Sequence, residues 1–144
     1  MKVLFSLVSL SLLAIAGFSQ NMIATPVGSP EVLYNENGVT ISAQMTECNN
    51  TERNEIMMYK ILTLTNSNAV PATIKMRQDS YYNDKCYTCE NEEYTFTFSL
   101  NASESKYGSC YGDANPALSV FHSMKDGYIK EVLTDLKMNI VRLN

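Results

Sequence analysis

Apolar and polar residues alternate along most of the chain after residue 30. Val39, Ile41, Ala43 and Met45 are separated by single polar residues, a pattern typical of a strand that buries one face. A short first strand is expected before it, at residues 32–34. Further strands are predicted at residues 55–65, 73–78, 94–100, 106–111, 118–122 and 133–143.

Turn-forming residues separate these segments. The sequences NENG at 35–38 and NSN at 66–68 contain residues that tolerate positive φ angles. The polar stretches 48–54 and 79–93 are predicted loops, and the spacing of apolar residues near 128–132 predicts a turn or short helix. The strands do not alternate with helices, so nothing in the pattern indicates a parallel α/β sheet. The sequence therefore predicts an all-β protein, an antiparallel β-sandwich of about seven strands.

Several short motifs resemble those of known exported domains. The sequence LTLTN at 62–66, with Val70 and Pro71, resembles the mid-domain strand and turn of immunoglobulin-like exported domains, and YTFTFSL at 94–100, with Glu104 and Ser105, resembles the strand and turn that follow. The sequences NDKCYTC at 83–89 and GSC at 108–110 resemble a pattern in small uncharacterised secreted bacterial proteins. The resemblance covers residues 31–143 and implies an immunoglobulin-like fold and an exported location, but no activity and no site residues. The antibody-type tryptophan is absent, because the chain contains no tryptophan.

The N-terminus has the layout of a secretory signal. Lys2 precedes an apolar run at 3–16, which is shorter than the roughly 20 residues of a membrane-spanning helix. Gly17 and Ser19 supply the small residues of a cleavage site before Gln20. We expect a signal peptide at 1–19, a flexible leader at 20–30 and the sandwich domain at 31–144. The expected location is secreted, periplasmic or in the cell envelope, with no membrane span.

The charge balance limits the classes of partner. Removal of residues 1–19 takes away one lysine and no acid, which leaves 11 − 1 = 10 basic and 15 acidic residues. The basic residues are scattered along the chain and form no run. Nucleic acids and anionic membranes need clustered lysine and arginine, so neither is expected as a partner.

Four cysteines, Cys48, Cys86, Cys89 and Cys110, are expected to form two disulfides in an exported chain. If successive strands run up and down, all four lie at one end of the domain. We favour bonds from Cys48 and Cys110 to one each of Cys86 and Cys89; the alternative is Cys86–Cys89 with Cys48–Cys110. A cysteine-based metal-binding or redox protein is a second hypothesis. The chain has only one CxxC pair, with acidic flanks, so no metal site and no cofactor is expected.

Tyrosine is concentrated around the cysteines: six of the nine lie between residues 81 and 111. Tyrosine is enriched at recognition surfaces, although packing at the rim of the core explains the cluster equally well. We predict a binding surface for a protein partner made by Tyr81, Tyr82, Tyr87 and Tyr111. The only histidine, His122, has no recognisable nucleophile with an ordering acid near it. The sequence favours an exported, non-enzymatic binding or envelope accessory protein; a small secreted enzyme inhibitor is a third hypothesis.

Overall fold

A computed structural model describes residues 22–111, 115–125 and 127–143; the predicted signal peptide lies outside them. Within these ranges the chain is all-β, with antiparallel strand pairs and two short 3-10 turns, as the sequence predicts. The strands are β1 (Met22–Pro26), β2 (Glu31–Glu36), β3 (Val39–Asn50), β4 (Glu55–Asn66), β5 (Ala72–Tyr82), β6 (Lys85–Cys86), β7 (Thr95–Leu100), β8 (Ser105–Tyr107), β9 (Ser119–Lys125) and β10 (Leu133–Leu143). The 3-10 turns are Glu92–Tyr94 and Pro116–Leu118.

The larger sheet has six strands, which occupy four positions side by side. We call each position a row; a row holds one strand, or two strands that pair with the same edge of a neighbour. Strands β3 and β4 pair along their whole length and form its centre. Strands β1 and β2 both pair with the free edge of β3 and together make one edge row. Strands β8 and β9 both pair with the free edge of β4 and make the other edge row. Each edge row is therefore a strand interrupted by an excursion of the chain.

The smaller sheet has four strands in three rows. Strand β5 is central and pairs with β10 on one side. On its other side β5 pairs with β6 and then with β7, which together form a third interrupted row. The four-row and three-row sheets share one buried apolar core, because the buried residues of both belong to the same cluster.

The core follows from the period-two pattern. Val39 and Ile41 of β3 are fully buried, as are Leu62 and Leu64 of β4. From the smaller sheet come Ile74 and Met76 of β5, together with Phe98 and Leu100 of β7. Each buried side chain of this size contributes about 1.5–3 kcal/mol to folding. The strong alternation of residues 39–45 and 94–100 thus marks the faces on which the two sheets are packed.

Three predictions differ from the structure. A segment of the expected flexible leader, Met22–Pro26, is a strand, because the edge of β3 offers it a full antiparallel partner. The expected loops 48–54 and 79–93 are shorter, since β3 continues to Asn50 and β5 to Tyr82. Of the two alternatives for residues 128–132, the short helix is wrong: Ile129 and Val132 are exposed, and the buried Leu133 is the first residue of β10.

Candidate functional site

Each disulfide has one cysteine in a strand and the other in a loop that interrupts an edge row. Cys86 bonds to Cys89, and this bridge closes a turn at the start of the 87–94 loop between β6 and β7. Cys48 bonds to Cys110, which lies in the 108–118 loop between β8 and β9. The four predicted cysteines are thus all bridged, but the favoured pairing of Cys48 with Cys86 or Cys89 is wrong and the alternative pairing is the one present.

The direction of the Cys48 side chain explains this pairing. Val39, Ile41 and Ala43 are buried in the core, so the odd-numbered residues of β3 face the smaller sheet. Successive side chains of a strand alternate, and the β3–β4 register has no shift. Cys48 therefore faces away from the smaller sheet and cannot reach Cys86 or Cys89. Residues 108–111 pass over this outer face of the larger sheet and bring Cys110 to it.

Contacts at both ends fix the first arm of the 108–118 loop, residues 108–111. At the base, the Ser119 hydroxyl accepts a hydrogen bond from the Ser109 amide at 3.0 Å and lies 2.8 Å from the Ser109 carbonyl oxygen, to which it donates. A Cβ atom on Gly108 would overlap the carbonyl oxygen of Leu118, so the close approach of the two arms requires glycine. Near the tip, the Tyr111 hydroxyl donates to the Met22 carbonyl oxygen at 2.7 Å. Residues 108–111 of the loop are therefore tied to β9 and to β1.

Thr88 holds the 87–94 loop against β5. Its hydroxyl accepts a hydrogen bond from the Ser80 amide and donates to the Gln78 carbonyl oxygen, both at 2.7 Å. These backbone groups lie in the gap between the stretches of β5 that pair with β6 and with β7. Thr88 is buried, so water cannot replace it there. Its side chain therefore substitutes for the missing row of the sheet and fixes the neighbouring Tyr87.

The two loops enclose an aromatic groove between the two sheets. The groove consists of two adjoining cavities with volumes of about 330 Å³ and about 470 Å³, and both are lined by Phe96, Pro116 and Ala117. Tyr87 and Tyr94, at its rim, are 57% and 39% exposed. The rest of the aromatic lining is Tyr82, Phe98 and Phe121. A concave, largely apolar surface with exposed aromatic rings is the usual form of a binding site.

Tyr82 is the centre of this aromatic cluster. Its ring makes an edge-on contact with Tyr87 at 5.7 Å and stacks on Phe121 at 6.5 Å. Its hydroxyl donates to the Phe121 carbonyl oxygen at 2.6 Å, which joins the end of the smaller sheet to the larger one. Burial, and to a smaller extent the neighbouring Tyr59 and Tyr94, raise the pKa of Tyr82 to about 12. Tyr82 is thus a neutral hydrogen-bond donor at physiological pH.

The structure brings together two of the four predicted binding tyrosines. Tyr82 and Tyr87 line the groove. Tyr81 follows the opposite face of β5, where its ring lies 4.8 Å from the Lys137 ammonium and its hydroxyl 3.5 Å from Cys89 Sγ. Tyr111 lies beside β1 at the far edge of the larger sheet. Neighbouring residues on a strand point to opposite faces, which separates Tyr81 from Tyr82.

Sequence reasoning missed several lining residues. Tyr94 and Phe96 belong to the apolar face of the 94–100 strand, which predicts core residues, yet both line the groove. Pro116 and Phe121 lie far from them in the sequence. The one available signal was Tyr94, which belongs to the tyrosine concentration between residues 81 and 111.

Other side chains of types that often take part in catalysis or metal binding make hydrogen bonds within the fold. Asp79 is buried and accepts hydrogen bonds from Arg77 at 2.7 and 3.1 Å and from Asn139 at 2.7 Å. His122 Nδ1 lies 2.8 Å from the Ser123 hydroxyl. Burial and, secondarily, the charge of Lys60 lower the pKa of His122. Among the described residues, no group of three or more histidines, cysteines and acids could hold a metal ion.

Comparison of the chain with protein-family models, curated proteins and solved structures gives no match. Within the described ranges, no helix is both long and apolar enough to cross a membrane.

Proposed function

We propose that this chain is an exported, non-enzymatic binding protein that holds a segment of a protein partner in the aromatic groove. The observation that carries the proposal is the groove itself, in which exposed Tyr87 and Tyr94 stand over apolar side chains that no other described segment of the chain covers. Tyrosine supplies rigid contact area with a polar tip, and it is enriched in the residues that dominate binding energy.

The position of the disulfides supports the same function. The Cys86–Cys89 turn contains Tyr87, and the loop tethered by Cys48–Cys110 returns as Pro116 and Ala117 on the other side of the groove. Both walls are excursions from edge rows, and each is held by a covalent bridge. Walls ordered before binding lose little entropy when a partner arrives, which increases affinity.

Charge favours a partner with a basic residue near Tyr94. Glu92 and Glu93 are exposed and form the 3-10 turn that ends at Tyr94. Acids at the rim of an apolar groove steer a cationic segment and set its orientation more than they add affinity. The preferred ligand is therefore an apolar segment of a protein with a lysine or arginine at one end.

The architecture we propose is a two-layer sandwich of four and three rows, immunoglobulin-like in this division of strands. The strand order is distinctive. Because β1 and β2 share a row, β3 and β4 are the second and third rows along the chain, and they are neighbours in one sheet. Immunoglobulin domains place their second and third strands in different sheets. The resemblance of the 83–89 and 108–110 motifs to small secreted bacterial proteins supports a secreted or envelope location, as do two disulfides.

Paired tyrosine variants test the groove. Tyr87→Ala with Tyr94→Ala removes the two exposed rings at its rim. The matched control is Tyr107→Ala with Tyr128→Ala, two exposed tyrosines that lie outside the groove. Partners are captured from extracts of the native envelope, and the affinity of each purified partner is measured for both variants. We expect a loss of at least about tenfold for the groove pair alone. Equal affinities for both variants, with folding intact, would refute the groove as the binding site.

A thiol–disulfide oxidoreductase is the second candidate, and one contact favours it. The Cys89 amide donates a hydrogen bond to Cys86 Sγ at 3.0 Å, and both cysteines are partly exposed. An amide directed at a sulfur stabilises negative charge there, as in reactive CxxC motifs. Equilibration in glutathione buffers separates the candidates: a reduction potential above about −230 mV supports redox function, and one below about −300 mV indicates a structural bridge.

A further inference from the structure

The four edge rows of the two sheets differ in how they are protected against pairing with another strand. Exposed strand edges are normally blocked by charges, proline or bulges. The β1–β2 row contains Pro26, Glu31 and a register shift, and the β8–β9 row contains two lysines and a register shift. Strand β10 contains Asp135 and Lys137 and has two shifts. Three edges thus carry the expected protection.

In the remaining row the one charged residue is Lys85 in the two-residue β6, and strand β7 itself carries none of these devices. Its sequence, TFTFSL, has no charge, no proline and no glycine. It pairs with β5 from Thr95 to Leu100 without a register shift, and within the described residues it pairs with no other strand. Uncharged segments of this length with high β propensity are those most prone to add a further strand. An edge of this kind is expected only where it is used or covered.

The packing of the two sheets leaves space beside β7. The larger sheet has four rows and the smaller has three, and the groove cavity of about 470 Å³ opens between β7 and residues 115–117. Phe96 and Phe98 line it from β7, and Pro116 and Ala117 line it from the 3-10 turn that precedes β9. A fourth row added to the smaller sheet at β7 would lie over this apolar space.

We propose that β7 binds an extended segment of a partner protein as an added antiparallel or parallel strand, whose alternate apolar side chains enter the groove beside Phe96 and Phe98. This inference rests on the proposed function and specifies how its site works. Main-chain hydrogen bonds to the free edge of β7 supply affinity, and side chains at every second position supply specificity. A lysine or arginine of the segment lies near Glu92 and Glu93, at the start of β7.

Charge argues against a second copy of this chain as the occupant. Antiparallel pairing of β7 with itself, centred between Thr97 and Phe98, would place Thr95 opposite Leu100 of the other copy. In this arrangement the 3-10 turn with Glu92 and Glu93, before β7 of each copy, would come close to the turn after Leu100 of the other copy, which contains Glu104. Two such like-charge contacts disfavour the dimer, whereas a basic partner residue removes the repulsion.

Hydrogen–deuterium exchange of the free, disulfide-bonded protein at several concentrations is the first measurement. Alternate amides of β7 should exchange rapidly at every concentration, because they face an open edge. Slow exchange of all β7 amides at every concentration would show that the chain covers its own edge. Slow exchange only at high concentration would show a dimer. Either result would overturn the proposal.

The second measurement uses a displayed random library of short linear peptides, selected on the whole protein. Each selected peptide is synthesised in three forms. One is unmodified, one has N-methyl groups at the odd-numbered residues, and one has them at the even-numbered residues; the last two are the two phases of methylation. N-methylation removes a donor from the peptide backbone and leaves its side chains. Because each main-chain hydrogen bond is worth about three- to tenfold in affinity, one phase should weaken binding by at least about tenfold and the other much less. The unmodified peptide should slow exchange of the β7 amides.

The variant Ala117→Leu fills the groove below the added strand, and Ala69→Leu, in an exposed turn, is its matched control. Binding of the selected peptides should fall by at least about tenfold for the first variant only. Failure to select any peptide, or peptides insensitive to both phases of N-methylation, overturns strand addition. Some peptides could be insensitive to N-methylation and still bind more weakly to Ala117→Leu. Such peptides would refute strand addition and support the groove as a binding site, so the experiment distinguishes the two proposals.

Discussion

The two disulfides should differ strongly in their contribution to stability. Cys48 and Cys110 are 62 residues apart in the sequence, and Cys86 and Cys89 are three apart. A disulfide stabilises chiefly by restricting the unfolded chain, and the effect increases with the logarithm of the loop it closes. Double replacement by alanine removes each bridge without leaving an unpaired thiol, and the two double variants act as each other's control.

The loop lengths determine the expected magnitudes. For a closed loop of 62 residues the chain-entropy relation gives about 4.3 kcal/mol at 25 °C. For a loop of three residues the same relation gives about 1.6 kcal/mol. Thr88 also holds the shorter turn independently of its bridge, through two buried hydrogen bonds. Loss of Cys48–Cys110 should therefore be the more damaging change by a wide margin.

Urea unfolding followed by tyrosine fluorescence measures both losses. With a slope of about 1.5 kcal/mol/M, the midpoint should fall by about 2.9 M for Cys48→Ala/Cys110→Ala and by about 1.1 M for Cys86→Ala/Cys89→Ala. Each loss is taken as the difference in unfolding free energy in water from each variant's own slope, because removing a cross-link opens the unfolded chain and raises the slope. Equal falls, or a larger fall for the short bridge, would refute the loop-entropy reasoning and indicate that local packing around the bridges decides their contribution.

Three further predictions concern single side chains. Thr88→Val should destabilise by roughly 2–4 kcal/mol, because two buried backbone groups lose their partner, while exposed Thr97→Val should change the urea midpoint little. Stability should fall between pH 10 and about 12, because the unfolded chain releases the Tyr82 proton near pH 10.0 while the folded chain keeps it to about 12. The urea midpoint should fall less over this range for Tyr82→Phe, and an equal fall would contradict the raised pKa of Tyr82. Gly108→Ala should lower the melting temperature by several degrees, because the new Cβ overlaps the Leu118 carbonyl oxygen; an unchanged melting temperature would show that the loop base can shift.

The sequence predicts strands where burial is one-sided. Val39, Ile41 and Ala43 keep their period because one face of β3 packs in the core and the other does not. The same strand continues to Asn50 through polar residues, and nothing in its own sequence indicates this. Strand length there depends on β1 and β4, which flank it on both sides. Pairing with distant strands is invisible to a local pattern.

The candidate site was less accessible to sequence analysis than the fold. The alternation that places Val39 in the core also places Cys48 on the opposite face. The sequence pattern therefore indicates the direction of the Cys48 side chain, but not its partner. The partner depends on where residues 108–111 cross the sheet, and this path produces no periodic pattern in the sequence. Tyr81 and Tyr82 are neighbours in sequence, and strand geometry separates them; Phe121 joins Tyr82 through tertiary contact alone.

The interruption of two edge rows at matching places connects stability with the proposed function. A continuous row would satisfy the backbone of β5 and β4 with regular ladder hydrogen bonds and would leave no groove. Here the Thr88 hydroxyl satisfies two backbone groups of β5 in place of a row. The Ser119 hydroxyl similarly joins the two arms of the 108–118 loop. Side chains and disulfides thus replace the lost ladder bonds, and the freed segments become the walls of the groove. Because these replacements are local, the walls can vary while β3, β4 and β5 keep the core intact, as expected for a binding site placed on a rigid scaffold.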